Sequence, residues 1–272
     1  MGVNAASANA AAIVYQLIGG FACSISWRYS FLAYVLVFPV LPLVLFYMRE
    51  PEILPEPDRA PQTDPEQTPP SPAGNARAFG RQYWGWFWMN FIFIVLFYAY
   101  ITNISSIIAN GNYGTASASA LVLAVFSLGG TYGGHVMSRL ITKIQKRVFI
   151  LAGLACFLGE ITLVVGQNLA MMFLGSLVYG IGFGMMLPSI SLFSGFAVRP
   201  EQRAFALSIN AVGNGVGTFL SAYMFAAVAA MFSVTWDRFS ILISALGALV
   251  IAAVFSVSEG LRRASPIRQD PV

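Results

Sequence analysis

Eight runs of apolar residues, each of bilayer-crossing length, alternate along the chain with short polar gaps. Their approximate bounds are 4–25, 29–48, 83–109, 117–138, 148–166, 170–196, 204–232 and 239–257. A hydrocarbon core of about 30 Å takes roughly 20 residues of α-helix. The pattern therefore predicts an all-α membrane protein with eight transmembrane helices. One stretch breaks the alternation: between positions 50 and 72 the chain holds eight prolines and six acidic residues, a composition that favours an extended, solvated backbone over a packed core. The expected organisation is two helices over 1–48, a proline-rich acidic linker over 49–82, six helices over 83–258 and a tail over 259–272.

Composition narrows the class further. Of 272 residues, 57% are hydrophobic and 10% charged, with mean hydropathy +0.72, whereas soluble domains carry about 25% charged residues. So little charge cannot cover a water-exposed surface, which excludes a soluble globular enzyme. The net charge of +4 forms no single patch, because its basic residues sit in the gaps between apolar runs, and no nucleic-acid partner is expected.

Those gaps carry topology instead. Thirteen of the 15 Lys and Arg residues fall on one side of the alternating spans, leaving only Arg28 and Arg238 on the other. Basic residues are retained on the cytoplasmic side, which predicts a multi-pass inner-membrane protein with both termini and the linker cytoplasmic. Trp84, Trp86 and Trp88 open the third run, and Trp27 and Trp236 stand near the opposite loops, positions suited to interfacial anchors. Cys23 and Cys156 lie inside apolar runs, so neither a disulfide framework nor a Cys-ligated metal is expected. The N-terminus lacks the basic start of a secretory signal and runs straight into a helix-length apolar segment, so no cleavage is expected.

Local motifs resemble those of one family. Gly19 to Leu36, GGFACSISWRYSFLAYVL, has a glycine pair ending one helix and a turn of Trp27, Arg28 and Phe31 beginning the next. Gly175 to Ala222 carries Gly180, Gly182, Gly184 and Pro188 and then a short Arg-Pro-Glu-x-Arg loop from Arg199 to Arg203. With the long acidic linker followed by six helices, these features resemble the fifth to twelfth spans of a major facilitator superfamily (MFS) transporter. The loop GGHVMSRLITKIQKR resembles that family's cytoplasmic Gly-x-x-x-Asp-Arg-x-Gly-Arg motif: Gly134 and Arg139 match, while Ser138 replaces the Asp and Ile141 the second Gly.

The resemblance implies a partial MFS fold, with two helices of the N-terminal half, a complete six-helix C-terminal half, and no counterpart of the first four spans. It implies secondary transport of a small organic solute, specifically proton-coupled, drug-exporter-like efflux of amphipathic compounds. The lipid bilayer, the solute and protons would be its partners, and no cofactor or metal would be needed. The alternative is a non-transporting membrane fragment or helper subunit that associates with another membrane protein. The oligomeric state is left open. Zinc-type His-Glu-x-x-His, Gly-x-Ser-x-Gly and phosphate-loop motifs are missing, and the one His and one intramembrane Glu cannot assemble a hydrolytic site. No enzymatic activity is expected.

Several residues are candidates for the transport chemistry. Glu160 is the one ionisable residue well inside a span, and an intramembrane carboxylate is costly enough to mark function. It is the proton-coupling candidate; alternatively it reaches the outer interface or pairs with a neighbouring hydroxyl. Tyr100, Asn103, Ser106 and Asn110 recur at helical spacing on one face, so Tyr100, Asn103 and Ser106 are candidates for a substrate cavity, with hydrogen bonding between helices as the other reading. Asn210 and Asn214 are further cavity candidates within a stripe of small residues that also suits helix packing. His135, the sole histidine, lies near the cytoplasmic end and reads as solvated. Gly180, Gly184 and Pro188, with Gly134 and Arg139 of the loop, are candidates for a conformational role, because glycine and proline let a helix bend. The Met pairs 171/172 and 185/186 read as core filler.

Overall fold

The computed structural model describes residues 2–47, 79–232 and 236–264, and these contain eight α-helices and no strand. They are α1 (Gly2–Ile25), α2 (Val40–Tyr47), α3 (Arg81–Asn110), α4 (Ala116–Ile144), α5 (Val148–Val165), α6 (Leu169–Phe196), α7 (Arg203–Phe232) and α8 (Trp236–Ala264). Five helical stretches among the described residues are long and apolar enough to cross a membrane. One of them, Ala116–Val165, contains both α4 and α5. The two are joined by a single 3₁₀ turn, Gln145–Arg147, where Gln145 has φ 45° and reverses the chain.

Six of the expected spans coincide with α3 to α8, although α4 runs six residues beyond its expected end and takes Arg139 and Lys143 into the helix. The span expected over 29–48 differs. It forms a 3₁₀ helix, Trp27–Val37, followed by the eight-residue α2. Pro39 and Pro42 account for the break, because each lacks a backbone N–H and crowds the preceding turn. In α1 the candidate apolar helix is Asn9–Ile25, shorter than a full span. Most of the expected linker and the last eight residues of the tail lie outside the described residues.

Packing is densest around α6, which touches α4 on one side and α5 on the other. Small residues permit this, because interhelical contact in lipid depends on close van der Waals fit. A side chain on Gly180 or Gly184 would run into the α4 backbone at Phe126 or Gly130, and one on Gly133 into Ile181 of α6. On the other flank, a Cβ at Gly182 would stand 2.6 Å from the backbone nitrogen of Cys156, and one at Gly175 would stand 2.9 Å from the Gly159 carbonyl. Gly134, Gly180 and Gly184 are thus seam residues between α4 and α6. Pro188, inside α6, supplies no N–H to the carbonyl four residues earlier, that of Gly184, which faces Gly134 across the same seam.

Two clusters tie the ends of the helices. At one end Trp86 of α3 stacks on Phe193 of α6 and Phe255 of α8 and packs against Phe149 of α5, with the Lys146 ammonium 5.7 Å from the Trp86 ring centre. Trp86 is therefore a core residue rather than the interfacial anchor expected of it, because three neighbouring aromatic rings enclose it; Trp88 is exposed. At the opposite end Arg238 of α8 donates to the carbonyls of Val164 and Gly166, just where α5 stops, and to the Tyr113 hydroxyl at 3.0 Å. Asn110 Nδ2 donates to Asp237 nearby, at 2.7 Å. Consecutive helices from α3 onward therefore run in alternating directions. Towards the other side of the bundle α1 packs on α4, with Gly20 against Ala120 and Ser127 Oγ donating to Gln16 Oε1 at 3.2 Å.

The seam predicts a paired outcome. Gly184→Ala should lower stability by about 1–3 kcal/mol, because the added methyl has nowhere to go but into backbone. Gly215→Ala on α7 meets nothing within 4 Å, and it should leave stability unchanged or slightly raised. Thermal unfolding of both variants in one detergent checks the contrast.

Candidate functional site

The polar groups that matter most lie where α3, α5, α6 and α8 converge. Glu160 of α5 is fully buried, 0% exposed. Its neighbour Gly159 lets the Tyr179 backbone of α6 approach so closely that any side chain there would collide with it, which brings the Tyr179 hydroxyl to face the Glu160 carboxyl. From α8, Ser244 Oγ stands 2.5 Å from Glu160 Oε1 and 2.9 Å from the Leu96 carbonyl of α3. Glu160 Oε2 has no hydrogen-bond partner. Beside this group the Tyr100 hydroxyl of α3 donates to Ser176 Oγ of α6 at 2.9 Å, and the Tyr100 and Tyr179 rings meet edge to face at 5.1 Å. Cys156, one turn earlier on α5, is buried against the same cluster.

Counting protons shows what the cluster can do. A serine hydroxyl has one hydrogen to give, and both the Leu96 carbonyl and an ionised Glu160 would need it. If the carboxyl carries a proton, it donates to Ser244 Oγ and Ser244 donates to Leu96, so both contacts are made and no bare charge sits among apolar helices. Removal of that proton forces the serine to choose between Leu96 and Glu160 and leaves the Tyr179 hydroxyl as the other donor facing the carboxylate. The cluster is thus a place where gain or loss of a proton on α5 is felt by α3 and α8.

The other candidates are placed variously. Tyr100 belongs to the cluster. Asn103 is buried and donates to its own helix, at the Ala99 carbonyl, 2.8 Å away, while Ser106 is exposed. Asn214 Oδ1 accepts from Asn90 Nδ2 at 2.5 Å, and the Tyr83 hydroxyl stands 2.7 Å from the Ala206 carbonyl and 3.3 Å from Asn210 Oδ1. With Ser221 Oγ donating to the Val95 carbonyl at 2.8 Å, these contacts form a polar seam along α3 and α7. That is the hydrogen-bonded packing reading for Asn210 and Asn214. The Asn210 Nδ2 amino group is buried without a hydrogen-bond partner, the one unfilled position of this seam among the described residues. Arg139 and His135 are exposed on α4.

A cleft of about 480 Å³ opens between α1 and the adjoining ends of α3 and α4, with Tyr15, Gln16, Ser30, Ser105 and Ser119 in its wall. None of the sequence-derived cavity residues lines it. No group of three or more potential metal ligands occurs among the described residues. Ser244, Tyr179 and Ser176 escape notice in the sequence because a lone hydroxyl in an apolar run breaks no pattern. The one available signal is the need of Glu160 for a partner.

The family follows from comparison. The model of the Major Facilitator Superfamily matches residues 87–271, more than half of the chain. The chain belongs to that superfamily and is an integral, multi-pass membrane protein. A crystal structure of the peptide transporter POT, a mutant in complex with sulfate, is similar in fold, with a TM-score of 0.53 and 19% sequence identity. The match covers 65% of this chain and 37% of that one, so the chain corresponds to well under half of that transporter's length. No curated protein matches the sequence.

The proton count can be checked on stability. Ser244→Ala removes the hydroxyl that joins Glu160 to α3, and should cost about 1–3 kcal/mol. Glu160→Gln keeps an acceptor and supplies N–H donors of its own, and should cost less. Chemical or thermal unfolding of the two variants side by side would reveal the ordering, and equal stability of Ser244→Ala and wild type would contradict it.

Proposed function

We propose that the chain acts as part of an MFS-type secondary transporter that moves small amphipathic organic solutes across the cytoplasmic membrane, coupled to protons at Glu160. The observation that supports this reading is the fully buried Glu160 carboxyl, held by Ser244 between α8 and α3 with its second oxygen unpartnered. An acid so placed exchanges a proton only when the helices around it separate, and that dependence ties protonation to conformation. The α1/α4 cleft, with an aromatic ring, an amide and several hydroxyls in its wall, suits a solute of mixed polarity. Pro188 and the glycines of the α4/α6 seam offer a place where α6 flexes. In this reading α4 and α5 are separate crossings, since 50 continuous residues would extend about 75 Å, far more than one bilayer. Efflux is the proposed direction. The rival reading is a helper subunit or fragment that transports nothing.

Reconstitution tests the proposal. Purified protein co-reconstituted in liposomes with a separate segment carrying the first four spans of an MFS transporter should show, under an imposed pH gradient, saturable, gradient-dependent flux of lipophilic cations. Glu160→Gln should abolish the gradient dependence while solute exchange without a gradient persists. Flux no higher than that of empty liposomes would favour the helper reading, and an unaltered Glu160→Gln response would remove Glu160 from the coupling role. The proposed orientation, with the linker in the cytoplasm, predicts that a cysteine introduced as Gln62→Cys, in a background free of Cys23 and Cys156, is labelled from the cytoplasmic side only.

A further inference from the structure

A second cavity lies at the end of the bundle where the basic residues gather, away from Glu160. It is a groove of about 450 Å³ between the α4/α5 corner and the last turns of α6, lined by Ile141, Thr142, Gln145, Lys146, Leu192, Phe193 and Phe196. Its floor is apolar, and Phe196 is 61% exposed at its edge. Its rim is cationic. The Lys146 ammonium sits 6.0 Å from the Phe193 ring centre and 5.7 Å from that of Trp86. The Arg203 guanidinium lies 5.5 Å from the Phe196 ring centre and is steadied by its Nε donating to the Gly195 carbonyl at 3.1 Å. Aromatic faces hold both cations in position, and among the described residues no carboxylate pairs with either. The turn that delivers Gln145 and Lys146 to the groove passes through the left-handed backbone conformation of Gln145, uncommon for a residue with a side chain.

We propose that this groove binds an anionic phospholipid, its phosphate between Lys146 and Arg203 and an acyl chain along Ile141, Leu192, Phe193 and Phe196. Charge complementarity selects the anion. The apolar floor selects a lipid over a free phosphate, which would gain nothing from Phe193 and Phe196. Thr142 and Gln145 supply neutral donors and acceptors at the level of a headgroup. A zwitterionic lipid brings its own cation toward Lys146 and Arg203, so the site discriminates by headgroup charge.

Bound lipid counted by native mass spectrometry, after incubation with phosphatidylglycerol or phosphatidylcholine, provides the test. Wild type should retain phosphatidylglycerol in preference. The double variant Lys146→Gln/Arg203→Gln should lose affinity on the order of thirtyfold, as expected for two basic residues at a lipid headgroup. The charge-preserving pair Lys146→Arg/Arg203→Lys should keep the preference, which separates loss of binding from loss of fold. Equal retention of the two lipids by wild type, an undiminished preference in the glutamine variant, or full displacement of the lipid by inorganic phosphate would each overturn the proposal.

Discussion

The close approach of α6 to both α4 and α5 is the constraint on which the rest of the molecule depends. Between lipid-embedded helices no water is available to drive association, and attraction comes from contact alone. Glycines 180 and 184 present bare backbone to α4, while 175 and 182 do so to α5. One helix therefore serves as the wall for two others, meeting α4 backbone to backbone and α5 with Cys156 and Leu163 packed onto its glycines. Widening the α5/α6 seam by one methyl would carry Tyr179 away from Glu160, so the polar cluster inherits its geometry from the absence of a side chain at Gly159.

The cluster and the α3/α7 seam solve the same problem in different ways. Tyr83, Asn90, Asn210 and Asn214 are a neutral phenol and three neutral amides that bond across two helices, with the Asn210 amino group left over. Glu160 has a partner whose single hydrogen is already in demand at Leu96, and an oxygen with none. Neutral seams of the first kind are structural glue, each contact contributing roughly 0.6–2 kcal/mol. An arrangement of the second kind redistributes its hydrogen bonds when Glu160 gains or loses a proton, which the neutral seam cannot do.

Much of the architecture was legible in the chain because lipid imposes a coarse, length-based grammar. The runs that became α3 to α8 needed only counting, and the seam glycines stood out as a motif. The break at Pro39 and Pro42 was visible as residues but not as an outcome, because length and hydropathy alone do not register a missing N–H. Trp86 was misread since its position near a helix start suits an anchor equally well; only the convergence of Phe149, Phe193 and Phe255 from three distant segments buries it. The even spacing of Tyr100, Asn103 and Ser106 located one side of a helix without saying what covers each turn. In the fold one meets α6, one bonds its own backbone and one is exposed.

The arginine at the start of α8 has a mechanical consequence. Arg238 holds the carbonyl end of α5 and the loop tyrosine that follows α3, so three helices are pinned at a single joint, while the Trp86 cluster pins the same three at their far ends. A body fastened at both ends turns without bending. α7 stands outside that frame, joined to α3 by neutral hydrogen bonds, whereas α4 is locked against α6 by backbone-to-backbone contact.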